Sequence, residues 1–260
     1  MLQQVDSPIS KLSVVIITFN EERNIAACIA SVASIADEIV VVDSFSTDQT
    51  QEICERSGVR FVQHVFEGYG AQKNFANAQA RYDLVLNLDA DERPDQTLIS
   101  AIQRVKKQQE ADIYTFNRCN NYCGKWIRHG AWYPDVKMRL YDRRKGNWTN
   151  AIVHETFSPD TSAKIQHLPG NLLHYSYQNI DEHRRQLEKY STLGAKESFD
   201  KGKKSTWVKQ SLNPSWRFFR DYILRLGLLD GTPGWTIARL TAQEVYLKYS
   251  KLRELNKKKA

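Results

Sequence analysis

Two carboxylates one residue apart, Asp89 and Asp91, stand at the end of the apolar run Leu84-Val85-Leu86-Asn87-Leu88. Where a buried strand opens into a loop, such a pair is costly to hold unless something cationic sits between its members. A hard divalent ion suits the position, because Mg²⁺ is usually held by one or two carboxylates together with the phosphate oxygens of a substrate. Mn²⁺ accepts the same oxygen donors, so the residues do not choose between the two ions. Glu92, Arg93 and Pro94 follow, and read as the stop of the strand and the start of a helix. The pair then falls at the carboxyl edge of a sheet, where open α/β folds bind ligands. The plainer alternative is a helix N-terminus decorated with acids, which its macrodipole favours.

A second group of polar residues follows the first apolar run. Ser13 to Phe19 is a β-branched segment that leads into Thr18-Phe19-Asn20-Glu21-Glu22 with no glycine-rich exit. Neither a dinucleotide fingerprint nor a P-loop is therefore present. Acids in a first helical turn stabilise the helix and repel a pyrophosphate. A nucleotide at this edge would place its base and ribose near Thr18–Glu21 and its phosphates near Asp89 and Asp91. Asp43, at the tip of the next apolar run, can accept from a base N–H or a ribose hydroxyl. Taken singly, each of these residues also reads as capping or turn chemistry.

The elements that must position these groups are legible as alternating periods. Glu38 to Asp43, Val59 to Val65, Asp83 to Leu88 and Ile113 to Phe116 read as further strands, the continuous β-branched ones as strands buried on both faces. Between them run helical periods: Ile25, Cys28, Ile29 and Val32 behind a cap at Asn20; Ile53 and Cys54 behind the capping box Ser46-Thr47-Asp48-Gln49; Ala71 to Ala80; and Leu98, Ile99, Ile102 and Val105. Strand–helix alternation of this kind means a mainly parallel, Rossmann-like sheet flanked by helices. Asn120 to Pro134 reads as a loop able to fold over a site, Lys137 to Tyr141 as a strand and Asn147 to Thr156 as a return segment. From Ile180 the period is helical again; Pro214 is read as preceding a helix, Gly227 to Gly234 as a turn, and Trp235 to Leu255 as a long amphipathic helix. The expected organisation is a catalytic α/β domain over 1–178 and a helical, basic and aromatic region over 179–260.

Composition narrows the class. The 260 residues are 41% hydrophobic and 26% charged, as in an ordinary domain with a sizeable core. No stretch approaches the roughly 18 consecutive apolar residues of a membrane span, and residues 1–10 lack the pattern of a secretion signal. Cys119 and Cys123 find no second Cys/His pair at zinc-finger spacing, and Cys28 and Cys54 fall on apolar helix faces. A reducing cytoplasm is the expected setting. The net charge of +7 is uneven: residues 201–260 hold 14 Lys/Arg against 4 Asp/Glu, interleaved with Trp207, Trp216, Phe219, Trp235 and other aromatics. That mixture suits an anionic membrane surface or an acidic acceptor. No nucleic-acid motif accompanies it, so no nucleic-acid partner is expected. A packed helical appendage with a solvated basic face is the bland reading.

Taken in order, SVVIITFNEERNI, EIVVVDSFSTDQT, GYGAQKNFA and LVLNLDADERP, spanning Ser13 to Pro94, resemble the nucleotide-sugar half of family 2 glycosyltransferases, which have the GT-A fold. Met138 to Glu155, His174-Tyr175-Ser176-Tyr177 and GLLDGTPG near Asp230 resemble the bacterial lipopolysaccharide-core branch, β-glucosyltransferases acting on inner-core heptose. The resemblance implies that Thr18, Asn20 and Glu21 line the nucleotide pocket, with Asp43 on the uracil or ribose. Lys73 matches a position that approaches the nucleotide, against a bland reading as a solvated helix lysine. Asp91 is then the main ligand of a divalent metal, with Asp89 near both ribose and metal and His174 as a further ligand. Arg139 becomes a contact of the diphosphate or an acidic acceptor, against a surface salt-bridging reading, and one of His154 and His174 a metal or diphosphate contact, against a reading of each as a hydrogen-bonded structural histidine.

Family members that invert the anomeric centre use a carboxylate base, usually the second acid of a Glu-Asp pair. Here the matching position reads His154-Glu155, a departure that makes Glu155 the first candidate and Asp135, in WYPD, the reserve. The implied reaction is hexosyl transfer, with UDP-glucose as first donor, to a lipopolysaccharide core or another glycolipid acceptor. It would run at the cytoplasmic face of the inner membrane by an enzyme bound peripherally. Two other functions compete. A sugar nucleotidyltransferase needs a glycine-rich basic loop where FNEERN stands, and a non-catalytic carbohydrate- or lipid-binding protein needs only the fold.

Overall fold

The computed structural model describes residues 9–149 and 155–259. The chain forms two compact units, one from Met1–Arg118 with Val136–His174 and one from Cys119–Asp135 with Tyr175–Ala260.

The first unit is the alternating α/β part. In chain order it holds β1 (Leu12–Thr18), α1 (Ile25–Val32), β2 (Glu38–Asp43), α2 (Thr50–Arg56), β3 (Arg60–Gln63), α3 (Tyr69–Gln79), β4 (Leu84–Asp89), β5 (Glu92–Pro94), α4 (Gln96–Lys107) and β6 (Ile113–Tyr122). In the chain there follow the hairpin strand β7 (Lys125–Trp126), which belongs to the second unit, and then β8 (Asp135–Asp142), β9 (Gly146–Trp148), β10 (Phe157–Pro159) and β11 (Ile165–Tyr177). The main sheet runs β3-β2-β1-β4-β8-β6-β11-β5, with β7 paired to β6. Strands β1 to β4 are mutually parallel where they pair, whereas β4–β8 and β5–β11 are antiparallel. This is the mainly parallel sheet that the alternating pattern predicts.

Strand parity divides the core into two faces. Leu12, Val14 and Ile16 of β1 and Leu84, Leu86 and Leu88 of β4 share one cluster with α1 and α4. Val15 and Ile17, with Val85, face the other cluster, which includes Ala76 of α3 and Trp148 and Phe157 of the small β9–β10 sheet. A period of two fixes which residue meets which helix. On β4, Asn87 and Asp89 therefore share the α3 face with Val85. The chain enters β2 and β3 on one side of β1 and returns to β4 on the other, so the carboxyl ends of β1 and β4 flank the point where strand order reverses. Open α/β sheets bind ligands in the crevice outside such a point.

Several local expectations are corrected. Glu92–Pro94 does not start a helix; it pairs as β5 with Leu172–His174, and α4 is capped one residue later by Asp95, whose side chain accepts from the Leu98 N–H at 2.8 Å. Asn20 does not cap α1: its φ is +53°, and its Oδ1 accepts from the Thr47 N–H at 2.8 Å, tying the β1 exit to the β2 exit. The Ser46–Gln49 box likewise does not cap α2 through its N-cap residue, Gln49; Asp48 instead accepts from the Thr50 N–H at 3.0 Å. Asn120 to Pro134 is only in part a loop, since β6 runs on to Tyr122 and turns into β7. Strand β11 gave no sequence signal.

In the second unit, α5 (Ile180–Asp200), α6 (Trp207–Phe219) and α7 (Gly231–Lys259) are the long helices. Pro214 lies inside α6 rather than ahead of it. A π-helical turn at Arg220–Leu224 and a 3-10 turn at Gly227–Asp230 join α6 to α7. Asp230 accepts from the backbone N–H groups of Arg128 and His129 and pairs with His129 Nδ1 at 2.9 Å. A small cluster of Tyr122, Ile127 and Ile237, with Trp132 and Tyr177 packed on it, forms this unit's core.

Candidate active site

The site is built on two rungs that the β4 parity sets against α3. Asn77 and Lys73 lie four residues apart on α3, so they share one helix face. On the inner rung, Asn77 Oδ1 accepts from Asn87 Nδ2 at 3.2 Å and from the Tyr141 hydroxyl at 3.1 Å. On the outer rung, Lys73 Nζ stands 3.2 Å from Asp89 Oδ1 and donates to Glu155 Oε1 at 2.8 Å. Arg139, two residues from Tyr141 on β8, donates through Nη2 to Asp89 Oδ2 at 2.6 Å and to Glu92 Oε1 at 3.1 Å. Trp148 forms the wall: its Nε1 donates to the Tyr141 hydroxyl at 2.8 Å, and Lys73 Nζ lies 4.7 Å from its ring centroid. Paired bonds of 2.9 Å between the Asn74 amide and the Trp148 backbone fasten that wall to α3.

Lys73 and Arg139 are thus buried members of one charge network, not solvated side chains. Burial opposes ionisation of Asp89, but Arg139 and then Lys73 outweigh it and hold its carboxyl well below the usual range. Glu92 is fully buried, accepts from the Asp89 N–H at 3.1 Å through Oε2, and meets Arg118 at 3.4 Å through Oε1. The sequence reading missed Glu92 and Arg118. The one available cue was a carboxylate three residues from Asp89 that stands ahead of the helical period beginning at Leu98.

Asp91 projects apart from this network. The β5–β11 register places His174 opposite Glu92, and His174 Nε2 lies 3.1 Å from Asp91 Oδ2. Glu21 completes this corner: burial raises its pKa, Asn24 Nδ2 donates to it at 2.8 Å, and Asp91 and His174 both act on it electrostatically. Among the described residues no group of three or more His, Cys, Asp or Glu side chains forms a complete cage for a metal. A pair consisting of Asp91 and His174 nevertheless fits a divalent ion whose remaining positions go to water and phosphate oxygens. Asp89 fits that role less directly, because both of its oxygens face cations.

The remaining predicted residues fall as follows. Thr18 is buried at the end of β1 in register with Asp43, and its hydroxyl finds no hydrogen-bond partner among the described residues. Asp43 is fully buried and accepts from the Ser46 N–H at 2.8 Å and from the Ser46 hydroxyl, so it orders the β2 exit rather than facing open space. Asn20 is exposed at the same edge. Asp135 begins β8 and belongs to the second unit. His154 lies outside the described residues. The structure thus brings Lys73, Asp89, Arg139 and Glu155 into one network and Glu21, Asp91 and His174 into a neighbouring one.

Acids gathered at the switch point of an α/β sheet stand where open α/β folds bind their ligands. Residues 13–159, more than half of the chain, match glycosyl transferase family 2. A glycosyltransferase of Rickettsia typhi is 32% identical over 258 residues, covering 95% of this chain and 88% of its own. The lipopolysaccharide core biosynthesis glycosyltransferase LpsC of Rhizobium meliloti is 31% identical over 256 residues, covering 92% of this chain and 93% of its own. Among solved structures, glucosyl-3-phosphoglycerate synthase from Mycobacterium tuberculosis, in complex with Mn²⁺, UDP and glucosyl-3-phosphoglycerate, is 26% identical over 43% of this chain and 44% of its own, with a TM-score of 0.37. The family match and the full-length relatives suffice: the chain belongs to glycosyl transferase family 2.

Proposed function

We propose that the protein transfers a hexose, with glucose from UDP-glucose as first donor, to an acceptor sugar of a lipopolysaccharide core. The reaction is an inverting, metal-dependent single displacement. The observation that carries this reading is the convergence of Lys73, Asp89 and Glu155 beside Asp91 and His174 at the switch point. The full-length similarity to LpsC supports the acceptor class. Residues 1–178 act as the catalytic domain and 179–260 as the region facing the acceptor and the cytoplasmic surface of the inner membrane.

In this mechanism Thr18, Asn20 and Glu21 line the nucleotide side, and Asp43 orders the turn at Ser46 next to it. Glu155 takes the acceptor hydroxyl proton as that oxygen bonds to the anomeric carbon and the bond to the diphosphate oxygen breaks. A positioned base of this kind is worth about 10² to 10⁴ in rate. Lys73 holds Glu155 Oε1 in place, and Arg139 fixes Asp89. A divalent ion held by Asp91 and His174 supplies charge stabilisation to the departing diphosphate when bound. An α-linked donor then gives a β-linked product.

The test is a screen of UDP-sugars for UDP release with truncated lipopolysaccharide cores as acceptors, with and without Mg²⁺ or Mn²⁺. Release is expected to need the ion and to vanish in Asp91→Ala while the thermal melt is retained. Acceptor binding with no UDP release from any donor would identify a carbohydrate-binding protein instead. Comparing Glu155→Gln with Asp135→Asn decides which carboxylate is the base.

A further inference from the structure

Helix α6 is amphipathic in the wrong sense for a helix of a soluble protein. Val208, Leu212, Trp216, Phe219 and Ile223 recur at spacings of four, four, three and four, which places them on one stripe. That stripe faces outward: these five residues are 40% to 63% exposed, and Trp207 beside them 69%. The polar side chains Gln210 and Asp221 are the buried ones, Gln210 accepting from Arg253 Nη1 at 3.2 Å. Leu224, Leu226 and Leu229 extend the exposed apolar surface through the turns before α7. A contiguous apolar surface of this kind marks an interaction site.

Charge identifies the occupant. Residues 201–229 carry seven Lys/Arg and one acid, Asp221. Asp221 is buried and already shared by the guanidiniums of Arg217 and Arg220, with Arg225 at 3.9 Å. Lys203, Lys204 and Lys209 are exposed with no acid of this segment to pair with. A second copy of the chain seated on the same face would bring like charges together across a self-complementary interface. An anionic lipid surface meets both features, the apolar stripe entering the acyl boundary with its tryptophans and the lysines lying at headgroup level. Among the described residues no helix is long and apolar enough to cross a membrane, so attachment through α6 would be in the plane of the surface.

We propose that α6 and the turns after it form an in-plane anchor on an anionic bilayer, with Leu212 and Trp216 inserted. The proposal deepens the membrane part of the function proposed above. The test is flotation of the full chain with vesicles of phosphatidylethanolamine and phosphatidylglycerol, set against phosphatidylcholine alone. The exposed pair Leu212→Ser/Trp216→Ser is expected to lower partitioning at least about a hundredfold with an unchanged thermal melt. Lys203→Gln/Lys204→Gln/Lys209→Gln is expected to lower it about fivefold per charge on anionic vesicles at low salt and to leave neutral vesicles unaffected. Acyl-brominated phosphatidylglycerol should quench tryptophan fluorescence, and less so in Trp216→Phe. Equal partitioning of wild type and Leu212→Ser/Trp216→Ser overturns the proposal. So does a concentration-dependent dimer that the same double variant dissolves, which would assign the face to a second copy. UDP release on a water-soluble core oligosaccharide separates the two readings: transfer without vesicle binding defeats only the anchor, and vesicle binding without transfer defeats only the transferase.

Discussion

Replacing Lys73 by Met removes the ammonium that joins Asp89 to Glu155 while keeping most of the side-chain volume. Lys73 is 1% exposed and stands 2.8 Å from Glu155 and 3.2 Å from Asp89. Removing one partner of a buried pair costs about 3–5 kcal/mol when the other charge is left unpaired. Asp89 keeps Arg139 at 2.6 Å, and the Glu155 side chain is 18% exposed, so water reaches it in part. The low end, about 3 kcal/mol, therefore applies. In a protein of this size each kcal/mol shifts the melting temperature by about 2–4 °C, which makes the expected fall about 6–12 °C. Calorimetry measures it directly. A cycle with Glu155→Gln locates the loss, because two residues in contact should show a coupling of about 0.5–3 kcal/mol. A fall under about 2 °C, or losses that add within about 0.5 kcal/mol, would mean that the pair contributes nothing to stability and that the network reasoning is wrong.

Three further outcomes are expected. Glu155→Gln should lower kcat for sugar transfer about 10² to 10⁴-fold with donor KM little changed, read from initial rates of UDP release; unchanged kcat moves the base to another carboxylate. Burial pushes the His183 imidazole down to about 4, while its Nδ1 bonds the Tyr122 hydroxyl at 3.0 Å. The unfolded imidazole titrates near 6.5 and so binds its proton first; this contribution to stability is full above that value and is lost as pH falls toward 4. Melting curves across the window should show the slope, and His183→Gln should flatten it. Gly170→Ala should cost about 2–4 kcal/mol, because φ is +99° and an added Cβ would lie 2.4 Å from the Leu98 nitrogen; urea unfolding reads it.

What could be read from sequence follows from the range over which each signal acts. β1, β2 and β4 are continuous apolar runs buried on both faces, and α4 carries a full apolar stripe, so their own residues announce them. Strand β11 contains Pro169 and Gly170 and alternates burial irregularly, and β5 is three residues long; β11 is held between β6 and β5, and β5 exists because it pairs with β11. Asn20 and Ser46 are cap-forming types, but the exits of β1 and β2 lie side by side in the parallel register and use these side chains to tie the two loops. The candidate site divides in the same way. Asp89 and Asp91 are visible as a local pattern at a strand end. Lys73 is not, because its partners lie 16 and 82 positions further along the chain, Asp89 brought to it by the α3/β4 parity and Glu155 by the segment between β9 and β10. The outward stripe of α6 was hidden for another reason. Periodicity shows that a helix has an apolar face, but not which way the face turns.

The charge balance of the outer rung bears on how a nucleotide sugar would be received. Asp89, Glu92 and Glu155 are matched by Lys73, Arg139 and Arg118, three fixed anions against three fixed cations in direct contact. Such a set is close to neutral and, with Glu92 and Arg139 buried, costly to pull apart. A diphosphate arriving at the β1/β4 edge therefore finds these cations already engaged, while Glu21 and Asp91 add negative charge of their own at the neighbouring corner. Repulsion there must be offset by positive charge that comes with the donor or by breaking the Lys73–Glu155 pair. A divalent ion at Asp91 and His174 meets the first requirement without disturbing the second, and leaves Lys73 able to keep Glu155 in position. If instead the lysine transfers to the diphosphate, donor binding would free Glu155. Lys73→Met would then weaken donor binding as well as stability, whereas under the divalent-ion route it lowers stability and kcat with donor KM unchanged. Steady-state kinetics on that one variant distinguish the two routes.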